Sequence, residues 1–396
     1  MDTTHKNEPV LTWVMVQHWY QPPHQTEAVV RKVTTESYEL IVRLLTEYPN
    51  LRITINLAGS LVELWEKYSI THIISALKPL VLSGQVELLG SAIYHPILPL
   101  VPSEEIDIQV QRNSDVLTRA FESAYAPAGF FAPELAYSPE TMARIAKLGF
   151  TYAILDEYHA LEPVDPTIAH RIAGSGVRGV FRNRLVSKTF PPEYVVSNFH
   201  TISKPHLITA HDGELWGHWH NDDNGFYQKA FSDPRIVFQT VSQYLAKLTD
   251  SRETMIRTGT WETENSDYTS NNPFPLWNDP ANEIHQRMWK FAHHCEELIA
   301  NNSIDSNASL AREQLSLGLV SCGWWWASAK RPAAFSPLTW NPDEIEKVLL
   351  ALIKSARTLL TVEAEQRVAL EKEYAALVAL VWEKHWQYAA LEAGNK

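Results

Sequence analysis

Cysteine is nearly missing from this chain: Cys295 and Cys322 are the two present. Two cysteines cannot build a disulfide framework or a cysteine zinc site, and their scarcity fits a reducing compartment, taken here as the cytoplasm. Also missing is any block of like charge. The formal net charge is −12, with no basic stripe, which argues against nucleic acid as a partner. No apolar run is long enough for a membrane span. The most apolar C-terminal stretch, Val348 to Leu360, is broken by Lys354 and Arg357, so it reads as a buried or amphipathic helix and no membrane partner is expected. Met1 to Val10 is polar and lacks the apolar stretch of a signal peptide. Internal repeats and low-complexity tracts are absent as well, and none of these patterns encodes an oligomeric state.

What is present is apolar and aromatic. Hydrophobic residues make up 45% of the 396 positions, and 14 tryptophans join 15 tyrosines and 13 phenylalanines. That supports a sizeable core. It also offers flat aromatic faces, which suit the C–H faces of sugar rings. Short apolar runs read as buried strands: Leu11 to Val16, Ile53 to Leu57, Val86 to Leu89, Gly129 to Ala132, Tyr152 to Leu155 and Leu207 to Ala210. Helical patterns lie between them, such as the stripe Leu40, Ile41, Leu44, Leu45. Ser138-Pro139-Glu140 is a helix start and Gly149 its stop. Strands alternating with helices predict an α/β fold with a parallel sheet, and about seven strands favour a barrel over an open sheet. Residues 157–205, with Gly174, Gly176, Gly179 and the run Arg182-Asn183-Arg184, read as a long loop or small excursion. Those two arginines read as a solvated face, with an acidic group as their other use. From about Asn282 the pattern turns helical. The expected division is a catalytic β/α barrel over 1–280 and a C-terminal helical bundle over 281–396.

In a parallel barrel, chemistry gathers where strands end. His18 follows the first strand, Asn56 ends the second and Glu87 lies in the third. Glu134 follows the fourth, Asp156 and Glu157 the fifth, and His211, Asp212 and Glu214 the run Leu207 to Ala210. Breaking a glycosidic bond takes two carboxyl groups, one to protonate the leaving oxygen and one to attack the anomeric carbon or activate water. Glu134 and Asp212 meet that need from two different strand ends. Read blandly, Glu134 is a helix-flanking acid and Asp212-Gly213 a turn. The crowding of Trp216, His218, Trp219 and His220 around Asp212 favours a site. Trp261 and Trp277 fall in a Pro/Asn-rich loop where exposure suits sugar contact. Trp324, Trp325 and Trp326 cannot all face one way, so they divide between core and sugar platform.

Four segments then carry a family resemblance. His18-Trp19-Tyr20-Gln21-Pro22, Gly84 to Gly90, Phe131 to Tyr137 and His211 to Trp219 are similar, in order, to signatures of glycoside hydrolase family 57, over roughly residues 10 to 330. The resemblance implies an incomplete (β/α)7 barrel followed by helices, and retaining action on α-linked glucans by amylases, branching enzymes or glucanotransferases. It implies Glu134 as nucleophile and Asp212 as general acid/base. His18, Glu87, Glu214 and His218 would line the sugar site; the residues themselves offer Trp219, Trp261, Trp324 and Trp325 as aromatic contacts. An oligo- or polysaccharide substrate follows, with no metal and no cofactor. A retaining pair stands roughly 5 to 5.5 Å apart, so Glu134 and Asp212 are expected to face each other at about 5 to 6 Å. Two positions depart from the family pattern: Tyr20 stands where a second histidine is usual, and the segment Ser321 to Trp326 lacks an aspartate. Two other readings compete. One is a metal-dependent barrel hydrolase, like a polysaccharide deacetylase or α-mannosidase, using His18, His95, His211, Asp212 and His218. The other is a carbohydrate-binding homologue that has lost turnover.

Overall fold

The computed structural model describes residues 10–330 and 338–394; residues 1–9, which carry most of the polar N-terminal stretch, lie outside them. The chain forms two compact units, one of residues 1–93 and 98–262, the other of Tyr94–Ile97 and Thr263–Lys396.

The first unit is built on ten strands: β1 (Leu11–Trp19), β2 (Ile53–Leu57), β3 (Val86–Leu88), β4 (Gly129–Phe130), β5 (Tyr152–Asp156), β6 (Ala169–Ile172), β7 (Arg178–Arg182), β8 (His206–Asp212), β9 (Ile236–Gln239) and β10 (Ser251–Thr254). β1 is buried along almost its whole length, as expected of a parallel strand covered on both faces. Two sheets result, β3-β2-β1-β8 with β9 also on β1, and β10-β6-β7-β5-β4. Two junctions join them into a ring. Gly90 bridges Phe130 in parallel beyond the end of β3, and Asn183 N donates to Ile208 O at 2.8 Å between β7 and β8. Seven parallel strands, β1-β2-β3-β4-β5-β7-β8, therefore surround one core. The β7–β8 junction has no ladder, and this seam leaves the (β/α)7 barrel incomplete.

The expected loop over 157–205 is in fact where the barrel finds its missing strand. β7 reads weakly in sequence because it is three apolar residues long, between Arg178 and Arg182. Its arginine end faces a buried acid instead of water. β6 pairs antiparallel with β7 and parallel with β10, outside the ring. The helix start at Ser138 is as read: its hydroxyl accepts from Thr141 N, and helix Pro139–Lys147 ends before Gly149 at φ +93°.

The second unit is helical. Asn282 caps helix Glu283–Asn301 by accepting from Ile284 N and His285 N. Helices Ala308–Gly318, Ser321–Trp325, Pro342–Thr358 and Ala364–Gly394 follow. No helix among the described residues is long and apolar enough to cross a membrane.

Candidate active site

The C-terminal end of β1 sets the level of the site. His18 is in register with Asn56 of β2 and with Asp212 of β8. Alternation along a strand puts these three side chains on one face. The His18 ring stacks on Phe131 at 5.1 Å with 4° between planes. The Asn56 amide donates to His18 Nδ1 at 2.7 Å, which leaves the ring proton on Nε2. Burial pushes the His18 pKa down to about 3, so the imidazole is neutral.

Glu134 sits one turn past β4, in the 3-10 turn Pro133–Leu135. Its φ is +57° and that of Leu135 is +46°, a left-handed conformation that non-glycine residues adopt at a cost. The surroundings hold it there. Tyr137 Oη accepts from Ala132 N at 3.0 Å, and Trp261 N donates to Glu134 O at 3.0 Å. Trp261 Nε1 also donates to Glu134 Oε2 at 2.8 Å. Trp261 is 8% exposed and meets His18 edge-on at 6.1 Å. Behind it, Arg182 lies 5.0 Å from the ring centroid and donates to Trp261 O at 3.2 Å and to Ala210 O at 2.9 Å. Arg182 and Arg184 do not form a solvated face. Both are buried and clamp Asp156 at 2.7 and 3.1 Å, because β5 and β7 end side by side with these residues turned inward.

Asp212, half-buried, has its pKa raised by burial; Glu262 adds to the rise and Arg182 opposes it. Glu214, buried two residues on, is raised by burial and by Asp212. Gln21 Nε2 donates to Glu214 Oε1 at 3.0 Å, and Tyr38 Oη donates to the same oxygen. Tyr38 gets there through a π-helical turn, Thr34–Tyr38, a form found mostly at functional places. The same turn aims Ser37 Oγ at Gly213 O and Trp216 O, at 2.8 and 2.6 Å. It also aims Glu36 at His218 Nδ1, at 2.5 Å. Gly217 has φ +92°, and a Cβ there would lie 2.0 Å from Glu36 O, so only glycine permits this approach. Trp219 is 54% exposed with its ring 4.6 Å from His218. Sequence reasoning missed Tyr38, because a π turn leaves no mark in residue periodicity. Gln21 was in view only as part of a motif.

Glu214 yields a stability prediction. A carboxyl raised in the folded state stabilises the fold below its unfolded pKa, and that contribution is lost as pH rises through the folded value. Glu214→Gln keeps an oxygen for both Tyr38 and Gln21 and removes the buried charge. Melting temperatures should match the parent at pH 5 and exceed it at pH 9. A variant that melts no higher than the parent at pH 9 would show that ionising Glu214 costs the fold nothing.

Other expected site residues lie elsewhere. Glu87 is level with Thr54, two residues below the His18–Asn56 level. Its carboxylate accepts from Tyr152 Oη at 2.6 Å, Thr54 Oγ1 at 3.1 Å and Ser242 N at 3.0 Å. It is committed to the start of helix Val241–Leu245 and not to the group around Asp212. Gly129 permits this, since a Cβ there would lie 2.0 Å from the Tyr152 ring that reaches over it. Trp324 is fully buried and stacks on Trp289 at 3.9 Å, which leaves no face for a sugar. Trp277 is fully buried too, and Trp325 is half-buried, 4.6 Å from Trp326. His95 belongs to the helical unit and meets Ser321 Oγ at 2.8 Å. His211 alternates to the face opposite Asp212 and stacks toward Trp216 at 5.8 Å. Among the described residues no group of three or more His, Cys, Asp or Glu side chains is placed to hold a metal ion.

A family model described as Glycosyl hydrolase family 57 matches residues 4–256. An α-amylase of Pyrococcus horikoshii is 26% identical over 263 residues, which is 60% of this chain and 41% of that protein. A 4-α-glucanotransferase of Thermococcus litoralis is 24% identical over 256 residues, 59% of this chain and 38% of that protein. The chain thus spans about two fifths of the length of these curated relatives. Among solved structures, a family 57-type branching enzyme of Pyrococcus horikoshii superposes with a TM-score of 0.67 at 13% identity. That match covers 93% of this chain and 95% of that one, and it speaks for the fold.

Proposed function

This chain belongs to glycosyl hydrolase family 57, and on that premise we propose that it is a retaining enzyme acting on α-linked glucans. Glu134 attacks the anomeric carbon and forms a glycosyl-enzyme. Asp212 donates a proton to the departing oxygen, then takes one from water or from a sugar hydroxyl in the second half. One observation supports this reading: His18 adjoins both strand ends that bear the two carboxyls. Trp261 bonds Glu134 and meets His18, and His18 is in register with Asp212.

The electrostatics support the same division of labour. Asp212 is raised and therefore suited to begin as an acid. Glu134 Oε2 accepts a hydrogen bond from Trp261 Nε1, which fixes the direction of its carboxyl. Neutral His18 offers an N–H to a sugar hydroxyl, and Trp219 and His218 supply a ring and an edge beside Asp212. Glu87 and Trp324 are not carried into this reading. A cytoplasmic setting fits a chain with two cysteines, Cys295 and Cys322.

The test is incubation with a panel of α-glucans and aryl α-glycosides, with products read by mass and chromatography. Release or rearrangement of α-linked sugars is the expected result. Binding without any cleavage would turn the reading to a carbohydrate-binding homologue. Two carboxylates suffice for this chemistry, so a chelator should leave turnover unchanged. Activity lost to chelator and restored by zinc would replace the proposal with a metal-dependent one.

A further inference from the structure

We propose that the seam between β7 and β8 is a second binding site, distinct from the catalytic pair, for one neutral sugar ring. Among the described residues one backbone–backbone bond, Asn183 N to Ile208 O, crosses there, beside the side-chain bond from Arg182 to Ala210 O. The opening is a cavity of about 260 Å³. Helix Pro191–Asn198 and the turn that follows it border the cavity through Tyr194 and Thr201.

The lining is two-sided. Phe181, Val186 and Leu207 give an apolar wall, while Glu157, Asn183 and His206 give polar groups. A pyranose has the matching division, with C–H groups on its faces and hydroxyls around its edge. Charge argues for a neutral ligand. The lining cations are engaged already: Arg182 by Asp156, Ala210 O and Trp261 O, and Lys204 by Val164 O at 3.0 Å. An anion would face the Glu157 carboxyl instead. His206 borders the cavity with part of its ring, while its Nδ1 is turned away into the packed interior. Arg182 belongs to both places. It lines the cavity and holds the carbonyl of Trp261, whose indole bonds Glu134.

The choice of glucose and maltose as probes rests on the proposed function; the cavity does not. Full-length Glu134→Gln protein, which should bind without turnover, is titrated calorimetrically with each sugar. Two binding events are expected for maltose. Ser203→Trp closes the cavity from an exposed rim position, and His206→Leu takes a polar ring out of the lining. Each should delete one event and leave the other. In the otherwise unaltered chain, Ser203→Trp should leave turnover of a short aryl α-glycoside unchanged. A single binding event that both variants leave intact would overturn the proposal. The two readings fail separately. A chain that cleaves no α-glucan, yet binds glucose in a Ser203→Trp-sensitive way, keeps the cavity and loses the proposed activity. Cleavage with one variant-insensitive binding event does the reverse.

Discussion

Glu134→Gln should lower turnover on every substrate the parent cleaves by at least about 10⁴-fold, the scale on which covalent catalysts fail when the nucleophile is removed. An amide cannot form the glycosyl-enzyme. The fold should hardly notice. The amide oxygen can still accept from Trp261 Nε1, now at 2.8 Å from the carboxylate, and the backbone at φ +57° is held by Tyr137 and Trp261 without help from the charge. Matching melting temperatures and near-normal rates together would remove Glu134 from the mechanism.

The second large effect is selective. Asp212→Asn should cost roughly 10²–10⁴-fold, the usual worth of a positioned acid, on glucans whose leaving alkoxide needs a proton. Aryl glycosides with an acidic phenol should react in the first step almost as before, and the glycosyl-enzyme should then accumulate, detectable by intact mass. A pH profile gives an independent check. The parent needs Asp212 protonated, and burial raises its pKa. Glucan turnover should therefore fall as pH rises through that raised value, and the variant should lose this alkaline limb. Equal losses for acidic and basic leaving groups would count against the assignment.

Much of this was readable from residues alone. Apolar runs named six of the seven barrel strands, and the polar residues just past them named the positions around which His18, Asp212 and Glu214 are arranged. Four ordered motifs were enough for the family. The misses share a cause: each depends on what a segment faces. β7 ends in an arginine whose partner, Asp156, is 26 positions away, so it looked like loop. Glu87 sits in a barrel strand but is spent on a helix start. Trp277 and Trp324 look like exposed loop and platform residues, yet each is fully buried. Tyr38 was invisible because its approach to Glu214 depends on how the helix is wound.

That winding has a further consequence. In a π turn the helix carries a residue more than an α turn would, and here Glu36, Ser37 and Tyr38 all address the loop Gly213–His218. Part of the site's specification is therefore written in chain length, not in residue type. Every side chain in Thr34–Tyr38 could be kept and the arrangement still lost by a single deletion that restored regular winding. A residue-by-residue comparison is blind to such a change; it would surface as a gap in a helix.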